Sequence, residues 1–262
     1  MPNVLVTTPF DEAQLDRLRQ VSSRLTVTQG DPETADYAPP RMVEWQGRGT
    51  WPPDEQRWPL FVPTAVRGAT LGVIGYGSIG RELARIARTA FAMSVLACKR
   101  EPERRADPGY CPPGTGDPEG VLPDEWFSPE RVSELLARSD VVVMCAPLTR
   151  DTHHMIGARE LRVMKPTAYF INVGRGASVD EMALAQALAE RRIAGAAVDV
   201  FAQEPPPAGH PLYKVDNVIV SPHVSGFVAS YDDDCCTLFV ENLRRYLDGA
   251  PLLNLVDRAQ GY

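Results

Sequence analysis

The sequence predicts an α/β protein built around a doubly wound parallel sheet. Three observations predict it. Short apolar runs recur from about residue 70 onward, each followed by a segment of helical period. The first of these runs enters Gly75-Tyr76-Gly77-Ser78-Ile79-Gly80, and an amphipathic helix leaves it. The runs are almost wholly apolar rather than alternating, which suits strands covered on both faces.

The elements follow in order. Residues 4–7 read as a buried strand, 11–21 as a helix and 25–28 as a second strand. Residues 31–40 lose the pattern, being acidic and proline-bearing. Residues 41–49 read as a short helix ended by Trp51-Pro52-Pro53. Trp45, Trp51 and Trp58 are expected to pack the start of the following domain. Strands are then expected at 71–74, 94–97, 140–145, 168–173, 195–200 and 218–221. Helices are expected at 79–91, 131–137, 158–164, 180–190 and 229–247, before an extended tail. The helix over 79–91 is expected to turn Leu83, Ile86, Ala87 and Ala90 inward. Residues 101–129 hold seven prolines and four glycines, a composition for a long loop rather than a helix. A lid, an oligomer contact and an inert surface loop are all open readings of it.

A chain of 262 residues allows one large domain or two smaller ones. The net charge of −7 argues against nucleic acid, whose phosphates need a clustered basic surface. No apolar run is long enough to cross a membrane. The five cysteines, Cys98, Cys111, Cys145, Cys235 and Cys236, show no metal-ligand spacing. They suggest a reducing compartment. Met1-Pro2-Asn3 leads straight into the first strand, so a cytoplasmic protein is expected. His153, His154 and His210 sit in polar turns and read as surface residues. Asp232-Asp233-Asp234 reads as a solvated helix start rather than a metal site.

The glycine loop has a physical logic. Gly75 permits a tight turn, Gly77 lets the backbone approach a pyrophosphate, and Gly80 lets the helix pack close to the strand. The helix N-terminus offers free N–H groups and partial positive charge to phosphates. The residue after the second strand selects the dinucleotide, an acid there binding the ribose 2′-hydroxyl of NAD. This chain has Lys99 and Arg100 instead, two cations that would attract a 2′-phosphate. NADP is therefore favoured over NAD. Downstream, a cation, a carboxylate and an imidazole stand in marked contexts: Arg175 within Asn172-Val173-Gly174-Arg175-Gly176, Glu204 before Pro205, and His223 within Ser221-Pro222-His223. That trio after a nucleotide loop suggests hydride transfer to or from a carbonyl.

Taken together these segments resemble the D-isomer-specific 2-hydroxyacid dehydrogenases. The resemblance rests on Gly75 to Gly80, Pro147-Leu148-Thr149-Arg150-Asp151-Thr152, Asn172 to Gly176, Ala196-Ala197-Val198-Asp199-Val200-Phe201 and Ser221-Pro222-His223. It implies a Rossmann dinucleotide domain over 41–227. It also implies an incomplete flavodoxin-like substrate domain formed by 1–40 and completed by about 228–262. It implies a small 2-keto or D-2-hydroxy acid as substrate, glyoxylate and hydroxypyruvate among them, and a homodimer. By position, His223 would be the acid–base, Glu204 would fix its tautomer and favour imidazolium, and Arg175 would bind the substrate carboxylate or polarise its carbonyl. Asp199 would contact the nicotinamide carboxamide. Cys145, Ala146, Pro147, Thr152, Val173, Gly174 and Gly226 would line the dinucleotide's path. Formate dehydrogenases resemble the family but carry glutamine at the position of Glu204, which counts against formate.

One departure stands out. Only residues 1–37 resemble the family's N-terminal region, and about 60 residues have no counterpart, leaving too few strands to close a sheet covered on both faces. The segment is either omitted from this chain or deleted from it. Omission is favoured, because the downstream set is intact. A true deletion would make the chain a non-catalytic dinucleotide-binding module.

Overall fold

The computed structural model describes residues 3–6, 26–29, 45–55, 65–107, 109–227 and 231–257, with side chains described for all of these except 3–6, 26–29 and 232–234. The helix expected over 11–21, the stretch 31–40, Trp58 and the acidic side chains at 232–234 lie outside that description. The chain divides into two compact units, Met1–Thr64 and Ala65–Tyr262. The C-terminal segment falls in the second of these units.

In the first unit β1 (Asn3–Val6) pairs parallel with β2 (Thr26–Gln29), with Asn3 opposite Thr26. Residues 45–48 make one helical turn, and Trp51, expected to pack, is exposed.

The second unit contains a seven-stranded sheet. Its strands are β3 (Thr70–Ile74), β4 (Ser94–Cys98), β5 (Glu125–Phe127), β6 (Val141–Met144), β7 (Tyr169–Asn172), β8 (Gly195–Val198) and β9 (Val218–Val220). All pairs are parallel, in the order β5-β4-β3-β6-β7-β8-β9. The chain starts in the middle, winds outward through β4 and β5, then returns to the other side of β3 at β6. The helices are α1 (Ser78–Phe91), α2 (Val132–Arg138), α3 (Ala158–Val163), α4 (Glu181–Ala189) and α5 (Tyr231–Leu247).

Both faces of the sheet are covered, which explains the unbroken apolar runs. Successive residues point to opposite faces. Leu71 and Val73 of β3, Val95 and Ala97 of β4 and Val143 of β6 join Ala84 and Ala87 of α1 in one core. Ile74, Leu96, Cys98, Val142 and Met144 join Leu135, Leu136, Phe170, Leu184 and Leu188 in the other. A Cβ on Gly72 would lie 2.6 Å from Leu135, so α2 rests directly on the strand.

Two expectations need correction. Strand β5 was not foreseen; it lies inside the proline-rich stretch and pairs Glu125, Trp126 and Phe127 with Leu96, Ala97 and Cys98. Helix α1 is rotated from the expected phase. Gly80, Arg81, Ala84 and Ala87 are buried, Leu83 is half-buried, and Ile86 and Ala90 face outward. Gly80 sets this phase. A Cβ there would sit 2.5 Å from the Gly75 carbonyl oxygen and 2.8 Å from Val73, so the glycine must face the strand.

Candidate active site

Every loop carrying a residue singled out in the sequence leaves the carboxyl end of a strand. In an open parallel sheet these ends form a crevice where the strand order reverses, here between β3 and β6. Three loops meet there at Ala146. A Cβ on Gly75 would lie 2.5 Å from the Ala146 amide, and one on Gly174 would lie 2.8 Å from the Ala146 carbonyl oxygen. Gly75 also has φ 96°, a left-handed backbone that glycine adopts without strain. Gly77 is different: it is exposed with open space where a Cβ would be, and it caps α1 without a side-chain hydrogen bond. No acidic residue stands in the first turn of α1, where Ser78 and Ile79 are exposed. That is the arrangement in which a helix N-terminus accepts a phosphate.

Beside this turn lies a cavity of about 460 Å³. Gly75, Tyr76 and Gly77 form one wall, Cys145, Ala146, Pro147 and Thr152 another, and Lys99 and Arg100 the end beyond β4. Thr152 shapes its own turn by donating to the Pro147 carbonyl at 2.6 Å and accepting from the Thr149 amide at 2.7 Å. The Tyr76 side chain is also held from the other side. Its ring is buried against Trp126, and its hydroxyl donates to Asp117 at 2.8 Å. Burial, then the Asp117 bond, pushes that phenol well above its usual range. Burial also pushes the Cys98 and Cys145 thiols up to about 12, so both line the cavity as neutral groups. Lys99 is held below its usual range, first by burial and then by the Arg81 charge.

Val173, Gly174, Asp199 and Gly226 do not line this cavity; they follow β7, β8 and β9, as Arg175, Glu204 and His223 do. The turn carrying Arg175 is built by Asn172, which is buried. Its Oδ1 accepts the Gly174 amide at 3.1 Å and its Nδ2 donates to the Arg175 carbonyl at 3.2 Å. Arg175 itself is exposed, and its guanidinium donates to the Gly174 carbonyl at 2.7 Å. Gly176 locks this turn to the next: a Cβ there would fall 1.8 Å from the Phe201 carbonyl carbon.

Glu204 and His223 are brought together. Oε2 of Glu204 lies 2.7 Å from Nδ1 of His223, and Oε1 accepts the Phe201 amide at 2.9 Å. The hydrogen bond with His223, then that amide, holds the Glu204 carboxyl below its usual range. An ionised Glu204 accepts at Nδ1, so Nδ1 carries a proton and Nε2 is left facing outward from the pair. The imidazole is 49% exposed.

The His223 loop hangs from Asp199. The His223 amide donates to the Asp199 carbonyl at 2.8 Å, and φ of His223 is 54°. The Asp199 carboxylate accepts from Ser221 Oγ at 2.6 Å, the Val224 amide at 3.0 Å, the Ser225 amide at 3.1 Å and Ser225 Oγ at 2.6 Å. Burial alone would raise this carboxyl, but those four bonds outweigh it and bring it to about 2. Asn172, Ser221 and Ser225 were not singled out in the sequence for this work; their own motifs held the only signal. His210, read as a surface residue, is largely buried. Its Nε2 lies 3.1 Å from Glu181, whose other oxygen accepts the Ala202 amide at 2.6 Å and so braces the Glu204 turn. His153 and His154 are exposed and stack on each other.

This strand order, with a glycine turn and an uncapped helix end at its switch point, defines a dinucleotide-binding fold of the doubly wound class. The family model "D-isomer specific 2-hydroxyacid dehydrogenase, NAD binding domain" matches residues 40–225. The chain belongs to the D-isomer specific 2-hydroxyacid dehydrogenase family. It is 38% identical over 219 residues to a glyoxylate reductase of Thermococcus gammatolerans, a match covering 83% of this chain and 59% of that one. It is 37% identical over 198 residues to glyoxylate/hydroxypyruvate reductase B of Pectobacterium carotovorum, covering 74% and 56%. Among solved structures it is similar to a family member from Xanthobacter autotrophicus Py2 in complex with NADPH and MES, with 33% identity, a TM-score of 0.64 and coverage of 85% and 82%. The chain spans under two thirds of the length of the curated relatives it matches.

Proposed function

We propose that this chain is the dinucleotide-binding side of a reductase that transfers hydride between a nicotinamide dinucleotide and a small 2-keto or D-2-hydroxy acid of the glyoxylate or hydroxypyruvate kind. The observation that carries the reading is the hydrogen-bonded Glu204–His223 pair, set at the carboxyl edge of the sheet whose switch point holds the nucleotide turn. The residues present fit the dinucleotide: Gly77 leaves its surroundings open, and the adjoining cavity is large enough for an adenosine. Gly75, Gly77, Ser78 and Ile79 would hold the pyrophosphate, and Lys99, Arg100, Cys145, Ala146, Pro147 and Thr152 the adenosine half. Val173, Gly174, Asp199 and Gly226 would border the nicotinamide half. When bound, the reduced cofactor supplies the hydride.

The protein's own residues do the rest. Arg175 presents a planar fork suited to a carboxylate and sets the keto carbon in place. His223 holds a proton at Nε2 in its charged form and gives it to the carbonyl oxygen, ending neutral with Nδ1–H still donated to Glu204. Glu204 stabilises the imidazolium before transfer and keeps the ring in one tautomer after it. In the oxidative direction each proton movement reverses.

NADP(H) is the favoured cofactor, supported by cations rather than an acid at the end of β4, and by the NADPH in the Xanthobacter relative. A homodimer is supported by an outward apolar stripe on α1, where Ile79 is 60% and Ile86 40% exposed. The cysteines, reduced in all five cases, suit a cytoplasmic setting.

A second reading is favoured by the open position of Arg175 and His223 and by the short span relative to known reductases: a dinucleotide-binding module without turnover. Fluorescence titration with NADPH, run beside an absorbance assay over a panel of 2-keto acids, separates the two. Turnover abolished in His223→Ala with NADPH affinity retained supports the reductase; binding without any turnover in the wild-type chain supports the module.

A further inference from the structure

Arg81 anchors the proline-rich insertion to α1. Arg81 is buried near the start of α1, directly after Gly80 of the glycine loop. Its guanidinium donates to the carbonyl oxygens of Asp117 and Arg105, stacks over the Tyr76 ring at 5.1 Å, and places Nε 3.3 Å from the Asp107 carboxylate. Asp117, also buried, accepts from the Tyr76 hydroxyl and from the Val121 and Leu122 amides. One guanidinium thus ties both limbs of the insertion to the nucleotide turn.

The near limb reaches the cavity. Arg104 and Asp107 line it together with Lys99, and the Lys99 ammonium donates to the Arg104 carbonyl at 2.5 Å. Two consequences follow from charge. Arg81 holds in place the segment that aims Lys99. Arg81 also sets a positive charge 3.3 Å from the carboxylate of Asp107, the acid that would otherwise face a dianionic phosphate there and could accept a ribose hydroxyl instead.

We propose that Arg81 is a positioning residue for dinucleotide choice: by clamping the insertion and masking Asp107, it makes the end of the cavity beyond β4 accept a ribose 2′-phosphate rather than a free 2′-hydroxyl. This rests on the dinucleotide reading above. The insertion is then a wall of the site, neither a lid nor an inert loop.

The test is the ratio of the Kd values for NADPH and NADH, measured by fluorescence on the full chain. Arg81→Met is expected to weaken NADPH about tenfold while NADH stays within about twofold. Arg81→Met/Asp107→Asn is expected to recover most of the lost NADPH affinity, which a merely structural role would not allow. Because loss of a buried guanidinium can disrupt the fold, Asp117→Asn gives a second measurement: it loosens the insertion with the Arg81–Asp107 pair intact, and a smaller fall in the same ratio is expected. An unchanged ratio, whether both affinities hold or both fall alike, overturns the proposal. A wild-type chain that binds neither dinucleotide overturns instead the reading on which it stands.

Discussion

Asp199→Asn changes the charge of one buried side chain, leaves its shape nearly intact, and unfastens the loop that carries His223. Asp199 is 4% exposed, and its two oxygens accept four hydrogen bonds, two of them from backbone amides. An asparagine offers one accepting oxygen. Its amide would face either the Val224 or the Ser225 N–H, donor against donor, and leave that buried amide unsatisfied. The carboxyl is drawn from 3.8 to about 2, and a displacement of that size corresponds to about 2 kcal/mol. An orphaned amide independently costs about 1–3 kcal/mol. A loss of about 2 kcal/mol at neutral pH is therefore expected, or about 4–8 °C in Tm for a unit of this size. The sign in pH follows from the direction of the shift. A depressed carboxyl stabilises the fold above its ordinary value near 4, and the contribution disappears as pH falls toward 2. The gap between wild type and Asp199→Asn should therefore be constant above pH 5, shrink through pH 4 to 3, and close near pH 2. Denaturant titrations of both proteins across that range measure it. A gap that stays the same from pH 7 to pH 3 would refute the reasoning, since a steric effect has no such dependence.

Gly176→Ala should lower Tm and turnover together, because the new methyl meets Phe201 backbone that cannot rotate aside; about 1–3 kcal/mol is expected from thermal melts. Glu204→Gln should reduce kcat by about a hundredfold, because an amide can turn its NH2 to Nδ1 of His223 and no longer holds the ring in one tautomer; a kcat matching wild type would remove Glu204 from the mechanism. Iodoacetamide at pH 8 should label the exposed Cys235 and Cys236 and spare Cys98 and Cys145, whose burial holds them as thiols up to about 12; peptide mass spectrometry reads the pattern.

The strands of the second unit and the nucleotide turn were legible because their signals are local: an apolar run, then glycines at fixed spacing. What escaped was decided at a distance. Strand β5 is three residues between prolines, and only its pairing with β4 makes it a strand. The phase of α1 misled because leucine and isoleucine outrank glycine on any apolar scale, yet Gly80 alone can approach β3 so closely. Arg81, a charge on a surface-like helix, is buried because carbonyl groups 24 and 36 positions away receive it. The resemblance places Asp199 at the nicotinamide but says nothing of its hydrogen bonds to serines 22 and 26 positions onward. His210 was read as exposed because its neighbours are polar; the partner that takes it inward, Glu181, stands 29 positions earlier.

The insertion also has a tie to the far end of the chain. The Tyr110 amide donates to Asn254 Oδ1 at 2.8 Å across 144 positions, and Asn242 fastens the same tail to α5 through Leu253. Asn254 follows β9 and α5 in the chain, so the anchor is made after every strand of the sheet. The wall beside the nucleotide turn is thus completed only after α5 has been made, and a chain cut short there would assemble its sheet yet leave one edge of that wall unfastened.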